Sequence, residues 1–131
     1  MGIGENAAAL HGEGYNCAQC VLCACGSYTE LERDKALAVS CGFGGGVRSG
    51  EICGAVSGAV MAIGLSVPGA DSEREAMMKV ASMTKKLTAA FRERYGAVRC
   101  FNLKQAGVSC DELIAFGAES AEKIIKEERG E

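Results

Sequence analysis

The chain has 131 residues, 48% of them hydrophobic and only 5% aromatic, with no tryptophan, eight cysteines and a formal net charge of −3. This length suits one domain that buries its own core. The hydrophobic content excludes disorder, and the acidic balance with few aromatics excludes the basic and base-stacking surfaces of nucleic-acid binders.

The first residues, MGIGENAAALHGEG, lack a charged stretch followed by an apolar one, so no signal peptide is expected. Asn6 stands where myristoylation needs Ser or Thr. Residues 3–12 suit a short helix stopped by Gly12 and Gly14. Asn16, with Gln19 reaching back, caps a helix over 17–27. Thr29 and Glu32 form a second capping box that opens a helix over about 30–41.

Residues 42–50 read GFGGGVRSG, too rich in glycine for a helix, and predict a loop that uses unusual backbone conformations. A phosphate-cradling loop would end in Gly-Lys-Ser/Thr; this one ends Arg48-Ser49-Gly50-Glu51, which argues against nucleotide binding. Ile52 to Ala70 is uncharged, and its helical part ends near Pro68. That is short of the roughly 20 residues a membrane span needs, so it reads as a buried central helix and the protein as cytoplasmic. Gly54 and Gly58, four apart, would let another helix approach closely.

Ser72 and Glu75 open a long helix to Tyr95. Its apolar face is Met77, Val80, Met83, Leu87, Ala90, Phe91 and Tyr95. Cys100 opens the short segment CFNLKQAG. Ser109 and Glu112 open a last helix to about Arg129, with Leu113, Ile114, Gly117, Ala121, Ile124 and Ile125 inward. Gly96 and Gly107 stand as helix stops, and the charged end KEERGE reads as a fraying tail. No alternating strand pattern appears, nor any repeat or linker. The expectation is an all-α, single-domain bundle over residues 1–131, with the Gly-rich loop leading into a buried helix.

Within that frame the cysteines divide into two sets. Cys17, Cys53, Cys100 and Cys110 sit where helices begin. Helix starts offer unpaired N–H groups and roughly half a positive charge, which favours thiolate over thiol. Thiolates bind metals or attack disulfides. Cys20, Cys23, Cys25 and Cys41 lie inside helices or at their ends, where they read as small packing residues. Cys17-x2-Cys20-x2-Cys23 mimics a ferredoxin run, but Cys25 then breaks the spacing and a capped helix turns Cys23 away. No Cys-x-x-Cys-His occurs for covalent haem, and the single histidine, His11, reads as a surface or packing residue.

Gly14-Tyr15-Asn16-Cys17-Ala18-Gln19, the loop Gly42-Phe43-Gly44-Gly45-Gly46, the run Cys53-Gly54-Ala55-Val56-Ser57-Gly58, and then Cys100 and Cys110, follow one another in an order that resembles the C_GCAxxG_C_C family of redox-active proteins. The run from Cys53 to Gly58 is similar to its CGAxxG signature. A similar region occurs in a dihaem cytochrome type that carries an iron–sulfur centre, and the resemblance implies redox activity. The favoured reading is an iron–sulfur cluster on Cys17, Cys53, Cys100 and Cys110, 2Fe–2S ahead of 4Fe–4S. Gly44, Gly45 and Gly54 would give it room, the glycine loop would direct N–H groups at the sulfurs, and Arg48 and Arg99 would offset its charge. The protein would then work in electron transfer or redox sensing with a partner protein not named by the sequence. Two alternatives stay open: a metal-free thiol–disulfide oxidoreductase with Cys53 as nucleophile, or a Cu(I) or zinc carrier using all eight thiols. The Gly/Ala-rich faces would permit a homodimer.

Overall fold

The computed structural model describes residues 1–67 and 72–131. Among these, eight α-helices follow in order: α1 Ile3–Gly12, α2 Cys17–Ala24, α3 Gly26–Thr29, α4 Arg33–Ser40, α5 Gly54–Leu65, α6 Glu73–Tyr95, α7 Cys100–Gln105 and α8 Cys110–Arg129. The all-α expectation is met. No helix among the described residues is long and apolar enough to cross a membrane.

Three of the four predicted side-chain caps form, at the starts of α2, α6 and α8. The Asn16 side chain accepts from Gln19 N (3.0 Å), and the Gln19 side chain accepts from Asn16 N (3.0 Å). Ser72 accepts from Glu75 N (3.1 Å) and Ser109 from Glu112 N (3.2 Å). Each satisfies an N–H group that the helix itself leaves unpaired. The Thr29–Glu32 box does not form. Glu30 adopts a left-handed conformation (φ 56°), Thr29 closes α3, and α4 begins only at Arg33, with Glu32 as its cap residue. The Thr29 hydroxyl instead accepts from Leu31 N (3.2 Å). The helix expected over 17–27 ends at Ala24, where Cys25 N is shared between the Val21 and Leu22 carbonyls, both at 3.2 Å.

Helix α5 is central and is buried along Gly54, Ala55, Val56, Gly58, Ala59, Ala62 and Ile63. Helices α2 and α8 pack against it, α6 packs on α5 and α8, and α1 lies across α2 and α8. Small residues set these close approaches. A Cβ on Gly58 would lie 2.6 Å from the Ala18 carbonyl oxygen, and one on Gly117 2.9 Å from that of Ala55. The approach expected of the Gly54–Gly58 face is thus the docking of α2. Helix α5 ends at Leu65; Pro68, expected to mark its end, lies outside the described residues.

The α6 face holds for Met83, Leu87 and Phe91, which are buried, but Met77 is 70% exposed because the first turns of α6 extend past the core. Phe91 and Phe116 meet edge to face at 5.0 Å, joining α6 to α8. All the predicted inward residues of α8 are buried. Its end is tied down rather than frayed: Arg129 Nη2 donates to the Ser66 carbonyl (3.0 Å) and the Tyr28 carbonyl (3.3 Å).

Candidate functional site: four cysteines at four helix starts

Cys17, Cys100 and Cys110 are the first residues of α2, α7 and α8, and Cys53 is the cap residue of α5. The four line one enclosed cavity of about 50 Å³, together with Gly45, Lys104 and Leu113. Organic cofactors occupy pockets of roughly 300–1,000 Å³. This cavity therefore suits a small inorganic group or direct thiol chemistry.

A feature not expected from the sequence places two of the four. Ile52 and Arg99 form an isolated antiparallel bridge. Cys53 N donates to the Val98 carbonyl (2.8 Å) and Cys100 N to the Glu51 carbonyl (2.6 Å). Side chains alternate across such a ladder. Ile52 and Arg99 accordingly face solvent, while Cys53 and Val98 turn inward, 3% and 8% exposed. The third thiol comes from α2, whose Cys17 sulfur rests against Gly54; a methyl group there would overlap it. The fourth follows from the short α7 and the turn at Gly107 (φ 78°), which return the chain so that Cys110 meets Cys100 at the cavity.

The glycine loop frames the cavity with an uncommon backbone. Gly45, Gly46, Val47 and Arg48 are all left-handed (φ 63°, 67°, 51° and 61°), and Glu51 N closes the turn on the Gly46 carbonyl (3.0 Å). Gly46 is pressed against Cys100: a Cβ there would lie 2.9 Å from the Cys100 Cβ. Of the glycines predicted at the site, Gly45 lines the cavity and Gly54 accommodates Cys17. Gly44 instead makes room for the Asn16 side chain, 2.7 Å from where a Cβ would stand.

At Cys53 and Cys100 the electrostatics differ from the expectation of thiolates favoured by helix starts. Burial pushes the Cys53 thiol up to about 11; the Ala55 and Val56 N–H groups pull the other way, and nearby Cys17 and Cys100 add to the rise. Burial also pushes Cys100 up, opposed by the Lys104 ammonium and reinforced by Cys17 and Cys110. Desolvation outweighs the helix dipole at these two residues because both are buried. The N–H groups directed at Cys53 come from the first turn of α5, not from the glycine loop. Arg99 is engaged with Glu51 (Nε to Oε1, 3.2 Å), and Arg48 is exposed. Lys104 is the cation at the cavity. It lies four residues after Cys100, and Leu113 lies three after Cys110. Helical spacing alone places both on the faces of their cysteines.

All eight cysteines are free thiols. Of the second set, Cys20 and Cys25 are fully buried packing residues, each pushed up to about 12 mainly by burial. Cys23 is half-buried, and Cys41 is exposed rather than packed. His11 stands apart from the cavity, its Nδ1 2.6 Å from Asp111 Oδ1. Among the described residues, no three His, Cys, Asp or Glu side chains converge closely enough to bind a single metal ion.

The family description "Putative redox-active protein (C_GCAxxG_C_C)" matches residues 15–124. The chain belongs to this family. No curated protein and no solved structure matches it. The matched segment includes the run Cys53-Gly54-Ala55-Val56-Ser57-Gly58. The geometry gives this order a reason: the residue at position 53 supplies a sulfur at the helix cap, and the next must be bare to admit Cys17. The matched segment takes in all four cavity cysteines and the left-handed turn, so the C_GCAxxG_C_C region and the cavity coincide.

Proposed function

We propose that Cys17, Cys53, Cys100 and Cys110 jointly hold an iron–sulfur cluster, and that the protein transfers electrons or senses redox state through it. The observation that carries this reading is the meeting of four thiols, from four helix starts, in one small enclosed cavity. The donor set fits such a group: four sulfurs, no competing carboxylate or imidazole at the cavity wall, and one ammonium. A cluster spreads its thiolates more widely than a single ion does, which agrees with thiols that share a cavity without closing on one point. The small volume favours 2Fe–2S over 4Fe–4S.

When bound, the cluster supplies one-electron chemistry at a potential its surroundings set. The chain's own residues do the rest. The ladder holds Cys53 and Cys100 in register. Ala55 and Val56 donate to the Cys53 sulfur, which raises the potential. Lys104 eases ionisation of Cys100. Burial raises the cost of bare thiolates, so cluster binding and deprotonation go together. A reducing, cytoplasmic setting suits eight free thiols.

The test is iron and acid-labile sulfide per chain, with visible absorbance, on protein purified without oxygen. Equal iron and sulfide, with colour lost in Cys→Ser variants of the four, is the expected result. Retained colour in all four variants sinks the assignment. Absence of iron and sulfide after reconstitution moves the reading elsewhere: to a thiol–disulfide oxidoreductase if mild oxidation removes two thiols, or to a Cu(I) or zinc carrier if several ions bind per chain.

A further inference from the structure

The surface beside Cys53 and Cys100 carries a group of exposed apolar side chains. Val47, Ile52 and Phe101 are large hydrophobic side chains, 44%, 42% and 54% exposed. Single exposed hydrophobics are ordinary, but grouped ones mark interaction surfaces. These three are grouped around the cavity. Ile52 directly precedes Cys53 and Phe101 directly follows Cys100. Val47 follows Gly46, which abuts Cys100, and the left-handed turn packs on α7. A Cβ on Gly50 would lie 3.4 Å from the Phe101 Cβ, so loop and helix form one continuous face.

Two further observations bear on what this face meets. Val47 and Arg48 are held left-handed, a conformation that β-branched valine rarely adopts. Strain of this kind gathers at functional surfaces, and here it leaves Val47 and Arg48 exposed at the cavity's edge. The second is charge. Within residues 47–52 and 99–104 the charged side chains are Arg48, Arg99, Lys104 and Glu51, and all four are exposed. Three cations stand against one carboxylate on a chain of net charge −3. The surface of these two segments is thus basic where the protein as a whole is acidic, and the carboxylates beside Cys110 are paired elsewhere, Asp111 with His11 and Glu112 with Arg94.

We infer that this basic-rimmed apolar face docks an acidic electron-transfer protein. The inference rests on the redox reading of the cavity and names the chemistry of its partner. Rim charges would steer encounter, and a small apolar centre would release the partner after transfer. Ile52 and Phe101, each bonded through the backbone to a cavity cysteine, give the docked partner a short path to the sulfurs. The groove of Leu31, Val39, Met61 and Leu65 between α4 and α5 is also apolar, but its sole charged lining residue is Lys35, and it involves the C-terminal half of α5, at the other end of that helix from Cys53.

The test measures affinity for two acidic probes, a plant-type 2Fe–2S ferredoxin and a flavodoxin, with basic cytochrome c as control. Iron and sulfide are assayed on the same sample. Binding of an acidic probe should weaken about tenfold between about 20 and about 200 mM salt. Arg48→Glu and Phe101→Ser should each weaken it about tenfold, with helix content and iron content unchanged. Leu65→Ser, in the distant groove, should leave it unaltered. Failure of both probes to bind overturns the inference, as does binding that Leu65→Ser abolishes or that Arg48→Glu and Phe101→Ser leave intact. Self-association that Phe101→Ser abolishes would make a second copy the occupant and also overturn it. Iron and sulfide present without probe binding refutes the docking alone. Probe binding at this face without iron or sulfide refutes the cluster alone.

Discussion

The Cys17 sulfur occupies the space that any side chain at position 54 would fill. Helix α2 and helix α5 therefore fix each other through one missing methyl group, and the first cavity cysteine is positioned by the residue after the second. Gly54→Ala should destabilise the protein by about 1–3 kcal/mol, because the Phe43 carbonyl and Ala18 N also lie close, at 3.0 and 3.1 Å from the added carbon. Gly64→Ala, in the same helix but with nothing near its added carbon, should instead stabilise by about 0.5–1 kcal/mol. Urea unfolding of the two variants decides this. Equal effects would mean that the contact at position 54 is not tight.

The left-handed turn makes a second prediction. Val47→Gly should stabilise the protein by about 1 kcal/mol, since valine at φ 51° is strained and glycine is not. The same change removes an exposed side chain from the proposed docking face. Stability should rise while affinity for an acidic partner falls, and a fall in both would show that Val47 packs in a way its exposure does not suggest.

Thiol accessibility ranks the eight cysteines. In metal-free protein at mildly alkaline pH, exposed Cys41 should react first with a maleimide or disulfide reagent. Cys20 and Cys25, fully buried and pushed up to about 12, should react only on unfolding. Mass mapping of the labelled sites checks the order. Early labelling of Cys25 would contradict the packing of α2 against the core.

The same thiols make metal-free protein sensitive to alkali. A thiol whose folded value lies above its unfolded value of 9.0 holds its proton better when folded. Between pH 9 and about 12 the unfolded chain releases that proton first, so stability is full below pH 9 and falls as pH rises through this window. The loss should reach a few kcal/mol across the window, and Cys25→Ala should remove Cys25's share of the slope, at some cost in packing at every pH. Thermal unfolding against pH would show it. An unchanged slope would place the cause elsewhere.

Much of the fold is written in local signals. Asn16, Ser72 and Ser109 each announce a helix, because a capping side chain satisfies its own neighbours whatever the tertiary context. Thr29 carried the same signal and failed: the adjacent Glu30 turns left-handed, and the chain needs a few more residues before α4 can begin. Met77 has the right spacing but lies where α6 has outrun the core. The four cavity cysteines were legible as helix starts, and the structure brings them together. The ladder at Ile52 and Arg99 was not legible, because a single bridge has no alternating run to reveal it. Nor was the direction of the Cys53 and Cys100 ionisation. A helix start is visible in sequence, but the depth of burial that outweighs its dipole is a property of the whole packing.

The four cavity cysteines are contributed in order along nearly the whole chain, and the last of them opens the final helix. A chain still being made on the ribosome holds two of these thiols early, but its fourth emerges only after α1 to α7. The complete site is therefore unavailable to a growing chain. Any group held by all four thiols could be captured only once Cys110 has emerged, and a chain cut short before Cys110 would lack the complete site.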